Sequence, residues 1–153
     1  MNVLKTLTAA LMISGSGAAL AADTVTDVRL NDVLKSDPQY QEAWNDVLEE
    51  QERMPEWLIN LDGVAPPMEA MLEDDDKYLV GELCQASNCF NQRIYVAFSW
   101  DKEEAYALYV QVPDALPKGK APSNYATEKW LGEPDEGMQK LLHEQLKKDP
   151  NWY

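Results

Sequence analysis

Residues 78–99 read YLVGELCQASNCFNQRIYVAFS. Two runs of strand-like composition, 78–83 and 92–99, flank the only two cysteines of the chain, Cys84 and Cys89. Apolar runs separated by a short polar segment are typical of two strands joined by a loop. Cysteines at this spacing can close a small ring, which would hold residues 85–88 as a stiff polar loop outside the body of the protein.

Two other uses of these cysteines fit the sequence less well. A zinc site has four ligands, and the two cysteines and the single histidine, His143, cannot fill it. A thioredoxin-like redox pair has two intervening residues, whereas four residues separate Cys84 from Cys89. Two interpretations of the ring remain. Either it only closes a hairpin and has no partner, or it presents a loop that is preordered for docking into a cleft of another protein.

Apolar alternation predicts further strands on both sides of the cysteine loop. Strands are expected at 68–72, 105–112 and 124–130, and residues 57–59 are expected to be a strand or an extended connector. Every second residue is apolar in two of the strands, namely Ile94, Val96 and Phe98 in one and Tyr106, Leu108, Val110 and Val112 in the other. This alternation predicts an antiparallel sheet with one covered face.

Helices are predicted at both ends of the domain. A small helix is expected at 30–35, and Asp37-Pro38 is a start signal for a second one, because proline suits the first turn of a helix. The last helix follows Pro134 and carries a buried stripe of Met138, Leu141, Leu142 and Leu146. The sequence therefore predicts an α+β fold with helices packed on an antiparallel sheet of about five strands.

The amino terminus has the layout of a secretory signal peptide. Lys5 precedes an apolar run that ends in Ala19-Leu20-Ala21, a small-x-small pattern, and Asp23 follows at once. The run is short for a membrane span, and no cysteine follows the expected cut to accept a lipid anchor. We expect residues 1–21 to be removed and residues 22–153 to form a single domain in the periplasm, where a disulfide persists.

The chain is strongly acidic. It carries 13 Lys and Arg against 27 Asp and Glu, and loss of Lys5 with the signal peptide lowers the net charge from −14 to −15. Nucleic acid and anionic membranes are poor partners for such a protein, whereas a basic protein would be attracted over long range. The acidity also has a simpler explanation, which is the solubility of an exported protein.

The sequence shows no constellation of catalytic or cofactor-binding residues. His143 lies in the last helix, no Gly-rich phosphate loop is present, and Asp74-Asp75-Asp76 lacks the Gly and distal Glu of a calcium loop. We therefore expect no enzymatic activity, no metal and no cofactor.

Residues 78–96 resemble the central segment of the Ivy family of periplasmic inhibitors of vertebrate lysozyme. The sequence CQASNCFNQR at 84–93 is similar to the Cys-x4-Cys-x-x-Gln-Arg pattern of that family. Met54-Pro55-Glu56-Trp57-Leu58 looks like its Leu-Pro-x-Trp turn, and Trp130-Leu131-Gly132-Glu133-Pro134 is also similar. The resemblance extends from about residue 40 to residue 142, and it implies an antiparallel sheet with helices, often in a homodimer.

The resemblance also implies a mechanism. In the family a loop closed by a disulfide, here Cys84 to Cys89, enters the lysozyme cleft, where a loop histidine meets the two catalytic carboxylates. The corresponding target-binding loop here is Gln85, Ala86, Ser87 and Asn88. Gln92 and Arg93 would either support this loop or make internal strand contacts, including an ion pair.

The loop departs from the usual Cys-Lys-Pro-His-Asp-Cys of the family. Ser87 stands at the position of the histidine and Asn88 at that of the aspartate. A neutral loop can still donate hydrogen bonds, but it lacks the charge-assisted bonds of an imidazolium. We expect the partner to be a basic protein, either a lysozyme or a related muramidase, and we expect weaker inhibition of animal c-type lysozyme. The alternative is a non-inhibitory Ivy-like envelope protein, or an adaptor or immunity protein that binds another cell-wall hydrolase.

Overall fold

The computed structural model describes residues 27–153. The predicted signal peptide, residues 1–21, and the predicted start of the domain at residue 22 lie outside this range. Within it the chain forms helices α1 (Leu30–Ser36), α2 (Pro38–Glu49), α3 (Glu56–Ile59) and α4 (Glu136–Lys147), and strands β1 (Glu69–Glu73), β2 (Asp76–Cys84), β3 (Gln92–Ser99), β4 (Ala105–Gln111) and β5 (Thr127–Leu131). A 3₁₀ turn spans Pro122–Asn124.

The five strands form one antiparallel meander in the order β1-β2-β3-β4-β5. Each strand pairs with its neighbour in the chain; for example, Cys84 of β2 lies opposite Arg93 of β3. The predicted α+β fold with a five-stranded antiparallel sheet is thus confirmed. Among residues 27–153, no helix combines the length and the apolar character needed to span a bilayer.

Local signals fix the two long helices. The Asp37 carboxylate accepts a hydrogen bond from the N–H of Gln39 at 2.9 Å, and Pro38 occupies the first turn of α2. The Asp135 carboxylate accepts one from the N–H of Met138 at 2.8 Å at the start of α4. Such caps satisfy amide groups that have no partner within the helix and typically contribute about 1 kcal/mol each.

Helices cover both faces of the sheet, whereas the alternation of apolar residues predicted one covered face. Helices α1, α2 and α3 pack on the face that carries Ile94, Val96 and Phe98. Helix α4 packs on the face that carries Leu108 and Val110. The two apolar stripes seen in the sequence therefore lie on opposite sides, and the inner strand β3 is buried almost throughout its length.

The prediction for residues 57–59 is also wrong, because they form part of the short helix α3 rather than a strand or an extended connector. The buried indole of Trp44 donates its Nε1–H to the carbonyl oxygens of Leu58 (3.1 Å) and Ile59 (3.2 Å). A single helical turn presents both carbonyls to one donor, and this tertiary contact accounts for the difference.

Candidate functional site

The cysteine ring stands at the end of the β2–β3 hairpin. Cys84 and Cys89 are joined by a disulfide with their Cα atoms 4.6 Å apart. Ala86 and Ser87 are exposed, while Gln85 and Asn88 are partly buried. The four residues predicted to bind a target therefore form one continuous loop, and its two central residues face solvent.

Backbone hydrogen bonds hold the loop in shape. The N–H of Asn88 donates to the carbonyl of Gln85 at 3.0 Å, and the N–H of Gln85 donates to that of Gln92 at 3.0 Å. The N–H of Gln92 in turn donates to the carbonyl of Asn88 at 3.0 Å. Ser87 adopts φ +65°, a left-handed conformation that is uncommon outside glycine. A turn with so many constraints keeps its shape without help from the side chains at 86 and 87.

A neighbouring segment braces the loop from the β2 side. Val64 and Cys84 exchange two backbone hydrogen bonds, each of 3.0 Å. Gly63 makes this approach possible, because a Cβ atom there would lie 2.2 Å from the carbonyl oxygen of Cys84. The bridge leaves the Val64 side chain 59% exposed.

On the β3 side the loop is tied to the chain after β4. The carbonyl of Asn91 accepts a hydrogen bond from the N–H of Val112 at 2.8 Å. The side-chain Nδ2 of Asn91 donates to the carbonyls of Val112 and Pro113 at 3.0 Å each. Phe90 lies between this anchor and the disulfide, and its ring is 46% exposed. Val64 and Phe90 thus flank the ring on opposite sides.

Gln92 and Arg93 make internal contacts below the loop. Gln92 Oε1 accepts a hydrogen bond from the Tyr109 hydroxyl at 2.6 Å. Arg93 Nη1 pairs with the Asp149 carboxylate, and its Nη2 donates to the carbonyl of Phe90 at 3.5 Å. The side chain of Arg93 is only 11% exposed. This matches the sequence-based alternative of an internal ion pair, although the contact to Phe90 also links Arg93 to the loop.

A groove of about 600 Å³ opens beside the base of the loop, between β1, β2 and the end of α4. Glu82, Arg93, Tyr95 and Asp149 are among its lining residues. Burial raises the pKa of the Tyr95 phenol to about 12 and the pKa of the Glu82 carboxyl above its ordinary value. Arg93 pairs with Asp149, and the positive charges of Arg93 and Lys148 partly offset the effect of burial on the pKa of Glu82.

Charge is distributed unevenly between the two ends of the sheet. Residues 83–92 and 63–68, which meet at the loop, contain no Asp, Glu, Lys or Arg. The opposite end carries the turns at 73–76 and 101–104, which together hold seven acidic residues. The N–H of Trp100 donates to the carbonyl of Lys77 at 3.0 Å and joins these two turns. The loop and the segment that pairs with it therefore carry no charged side chain, although Arg93 and Glu128 lie level with Cys84 in the strand register.

The histidine and the acidic residues do not assemble into a metal centre within the region that the structure covers. No group of three His, Cys, Asp or Glu side chains there is arranged to hold an ion. His143 Nε2 lies 3.2 Å from Glu128 Oε1, between α4 and β5.

Together the layered sheet and the braced loop define a small α+β protein with one exposed loop closed by a disulfide. Residues 39–148 match the family model described as Inhibitor of vertebrate lysozyme (Ivy), and the chain belongs to this family. The predicted resemblance is thus confirmed, and the matched range, residues 39–148, is close to the predicted range of about 40 to 142.

Three relatives show how closely the chain follows the family. An uncharacterized protein of Pseudomonas aeruginosa is 48% identical over the full length of both chains. A protein of Pseudomonas aeruginosa named Inhibitor of vertebrate lysozyme is 34% identical, over 89% of this chain and 91% of its own. An uncharacterized protein of Yersinia pestis is also 34% identical, over 94% of this chain and 92% of its own.

The structure adds three residues that sequence reasoning missed. Val64 and Phe90 flank the loop, and Asp149 pairs with Arg93 below it. Single exposed apolar residues are common on protein surfaces, so the sequence around Phe90 gave no signal of its own. No sequence pattern connects residues 93 and 149.

Proposed function

We propose that this protein is a periplasmic inhibitor of a lysozyme-type peptidoglycan hydrolase and that it acts by inserting residues 85–88 into the active-site cleft. The observation that carries the proposal is the exposed ring closed by Cys84 and Cys89 in a chain of this family. Family membership and the relative named as an inhibitor support the lysozyme-inhibitor role. An inhibitory role also argues against an enzymatic one.

The chemistry of the loop suits such a cleft. Lysozyme works with one protonated and one ionised carboxyl group. The hydroxyl of Ser87 and the amide of Asn88 each donate and accept hydrogen bonds, so they match both forms. Neutral hydrogen bonds are about half as strong as charge-assisted ones. The target is therefore a muramidase that binds a neutral loop, and animal c-type lysozyme is inhibited more weakly than by a loop with histidine.

Location and partners follow from the same reasoning. Ivy inhibitors are periplasmic proteins, and the predicted signal peptide at residues 1–21 would export this chain to that compartment. A basic hydrolase suits the net charge of −15 of residues 22–153. The family resemblance further implies a homodimer, which sedimentation velocity of the mature chain tests.

A lysis assay on a peptidoglycan suspension tests the proposal. The mature chain, residues 22–153, is added to a c-type lysozyme and to muramidases of other classes, and the rate of clearing is measured. The double variant Ser87→Ala/Asn88→Ala should lose inhibition about tenfold or more, because it removes the side chains that meet the carboxyl groups.

The matched control is Ser123→Ala/Asn124→Ala, which removes the same two side chains from the 3₁₀ turn. It should inhibit like the unmodified protein. Equal inhibition by the loop variant would rule out the loop as the inhibitory element. If the unmodified protein neither binds nor inhibits any muramidase, the alternative of a non-inhibitory envelope protein or adaptor is correct.

A further inference from the structure

We propose that Val64 and Phe90 form an apolar collar around the cysteine ring and that this collar, by seating on the apolar rim of the target's cleft, supplies much of the binding free energy. The inference rests on the proposed function, because the target is the same hydrolase. It assigns a role to two side chains that lie outside the loop itself.

The first evidence is position. Val64 is fixed beside Cys84 by two backbone hydrogen bonds of 3.0 Å, and Phe90 directly follows Cys89. A loop that enters a cleft carries its immediate flanks to the edges of that cleft. Both side chains therefore reach the rim when residues 86 and 87 are inside.

The second evidence is that both side chains are exposed to solvent although hydrogen bonds hold the backbone beside them. Val64 is 59% and Phe90 46% exposed, although each is anchored by neighbours that make several hydrogen bonds. Gly63 makes the Val64 bridge possible, since any Cβ there would collide with the Cys84 carbonyl. A rigid segment loses little entropy on association, so the burial of its apolar side chains converts efficiently into affinity.

The third evidence is the absence of charge in the two segments that carry the collar. These segments, 63–68 and 83–92, contain no charged residue. Salt bridges from these segments therefore cannot hold the partner, and neutral hydrogen bonds from the ring contribute modestly. Ligand clefts are lined mainly by apolar and aromatic side chains. A cleft rim of this chemistry is the surface that Val64 and Phe90 complement.

Titration calorimetry of the mature protein against the muramidase that it inhibits most strongly tests the collar. Phe90→Ala should weaken Kd about tenfold and Val64→Ala about threefold, which is the effect of removing partly buried apolar contacts. Both variants should also reduce the magnitude of the negative heat-capacity change of binding, since this change reports burial of apolar surface. The ratio of variant to unmodified Kd should not change between 50 mM and 500 mM salt, conditions about one decade apart in ionic strength.

Matched controls come from exposed apolar residues at the opposite, acidic end of the sheet. Leu72→Ala, at a residue that is 69% exposed, and Trp100→Ala, at one that is 42% exposed, should leave Kd and the heat-capacity change unaltered. Phe90→Leu should restore most of the affinity, because it keeps an apolar side chain. Circular dichroism and a thiol assay verify that each variant keeps the fold and the disulfide.

The outcomes separate the two hypotheses. If the unmodified protein binds and both collar variants bind equally well, the collar is wrong and the inhibitor assignment stands. If the collar effect disappears at high salt, the contact is electrostatic and the collar is again wrong. If the unmodified protein binds no muramidase, the proposed function fails, and the collar fails with it.

Discussion

Arg93 and Asp149, 56 residues apart in the chain, form an ion pair that joins strand β3 to the segment after α4. Arg93 lies opposite Cys84 in the sheet register, so the pair sits directly beneath the loop. The Arg93 side chain also lies near the ring of Trp152, with its guanidinium carbon 5.8 Å from the ring centroid. The carboxyl-terminal segment is in this way part of the support of the candidate site.

Replacement of Asp149 by Asn should lower the free energy of unfolding at pH 7 by about 2 kcal/mol, because it leaves the charge of the largely buried Arg93 unpaired. Burial opposes ionisation of Asp149, but hydrogen bonds from Arg93 and from the N–H of Asn151 outweigh it and hold its pKa below the ordinary value. Denaturant unfolding at several pH values measures the effect.

The sign of the pH dependence follows from the lowered pKa of Asp149. Its contribution is complete above the ordinary aspartate range and is lost as the pH falls through the folded-state pKa. The difference between the unmodified protein and Asp149→Asn should therefore shrink toward zero in acid. The control Asp114→Asn, at an exposed aspartate, should show little difference at any pH, and a constant gap for Asp149→Asn would contradict the ion-pair explanation.

Gly63→Ala should destabilise the protein by about 2 kcal/mol, because the new methyl group cannot fit against the Cys84 carbonyl. The two backbone hydrogen bonds between Val64 and Cys84 should break first, so the Val64 amide should lose protection from hydrogen exchange. Val64→Ala is the control within the same segment and should change stability by less than about 0.5 kcal/mol. Normal protection of the Val64 amide in Gly63→Ala would show that the segment shifts without penalty.

Cys84→Ser/Cys89→Ser should cost about 2 kcal/mol of stability, the chain-entropy value for so small a ring. The fold should survive, because the core on both faces of the sheet is independent of the ring. Inhibition should fall much further than stability, since the loop loses the constraint that keeps it preordered. Thermal unfolding and the lysis assay measure the two effects, and full inhibition by the folded double variant would show that the ring is only structural.

The association rate with a basic muramidase should fall with increasing salt, while the dissociation rate should stay nearly constant. Long-range attraction by the acidic body acts before contact and is screened by salt, whereas the loop and the segment beside it, residues 83–92 and 63–68, carry no charge. Stopped-flow fluorescence at 50 mM and 500 mM salt, about a decade apart, measures both rates. A dissociation rate that rises steeply with salt would indicate charged contacts at the interface.

Much of the fold was predictable because its signals are local. Asp37 and Pro38 mark the start of α2, Asp135 caps α4, and alternation marks β3 and β4. The coverage of both faces was not predictable. Alternation shows that each strand has an apolar face, but it does not show whether the apolar faces of two neighbouring strands lie on the same side of the sheet. That relation depends on the register between strands, such as Ile94 opposite Tyr109.

The candidate site was predictable only in part. The two cysteines and the loop between them were visible because they are adjacent in sequence, and the disulfide agrees with that prediction. Contacts between distant segments were not visible. The pairing of Val64 with Cys84 and of Arg93 with Asp149 arises from tertiary packing, as does the helical turn at 57–59 that meets the Trp44 indole.

The arrangement of backbone bonds around the ring has an evolutionary consequence. Backbone hydrogen bonds shape most of the turn, and the core lies below Cys84 and Arg93, so the exposed tip of the loop can vary without loss of the fold, provided that residue 87 tolerates a left-handed backbone. Under the proposed function, exchange of this short tip would redirect the same scaffold to a new hydrolase. A library randomised in the loop, with residue 87 limited to types that accept a left-handed backbone, would then be a source of inhibitors against other enzymes.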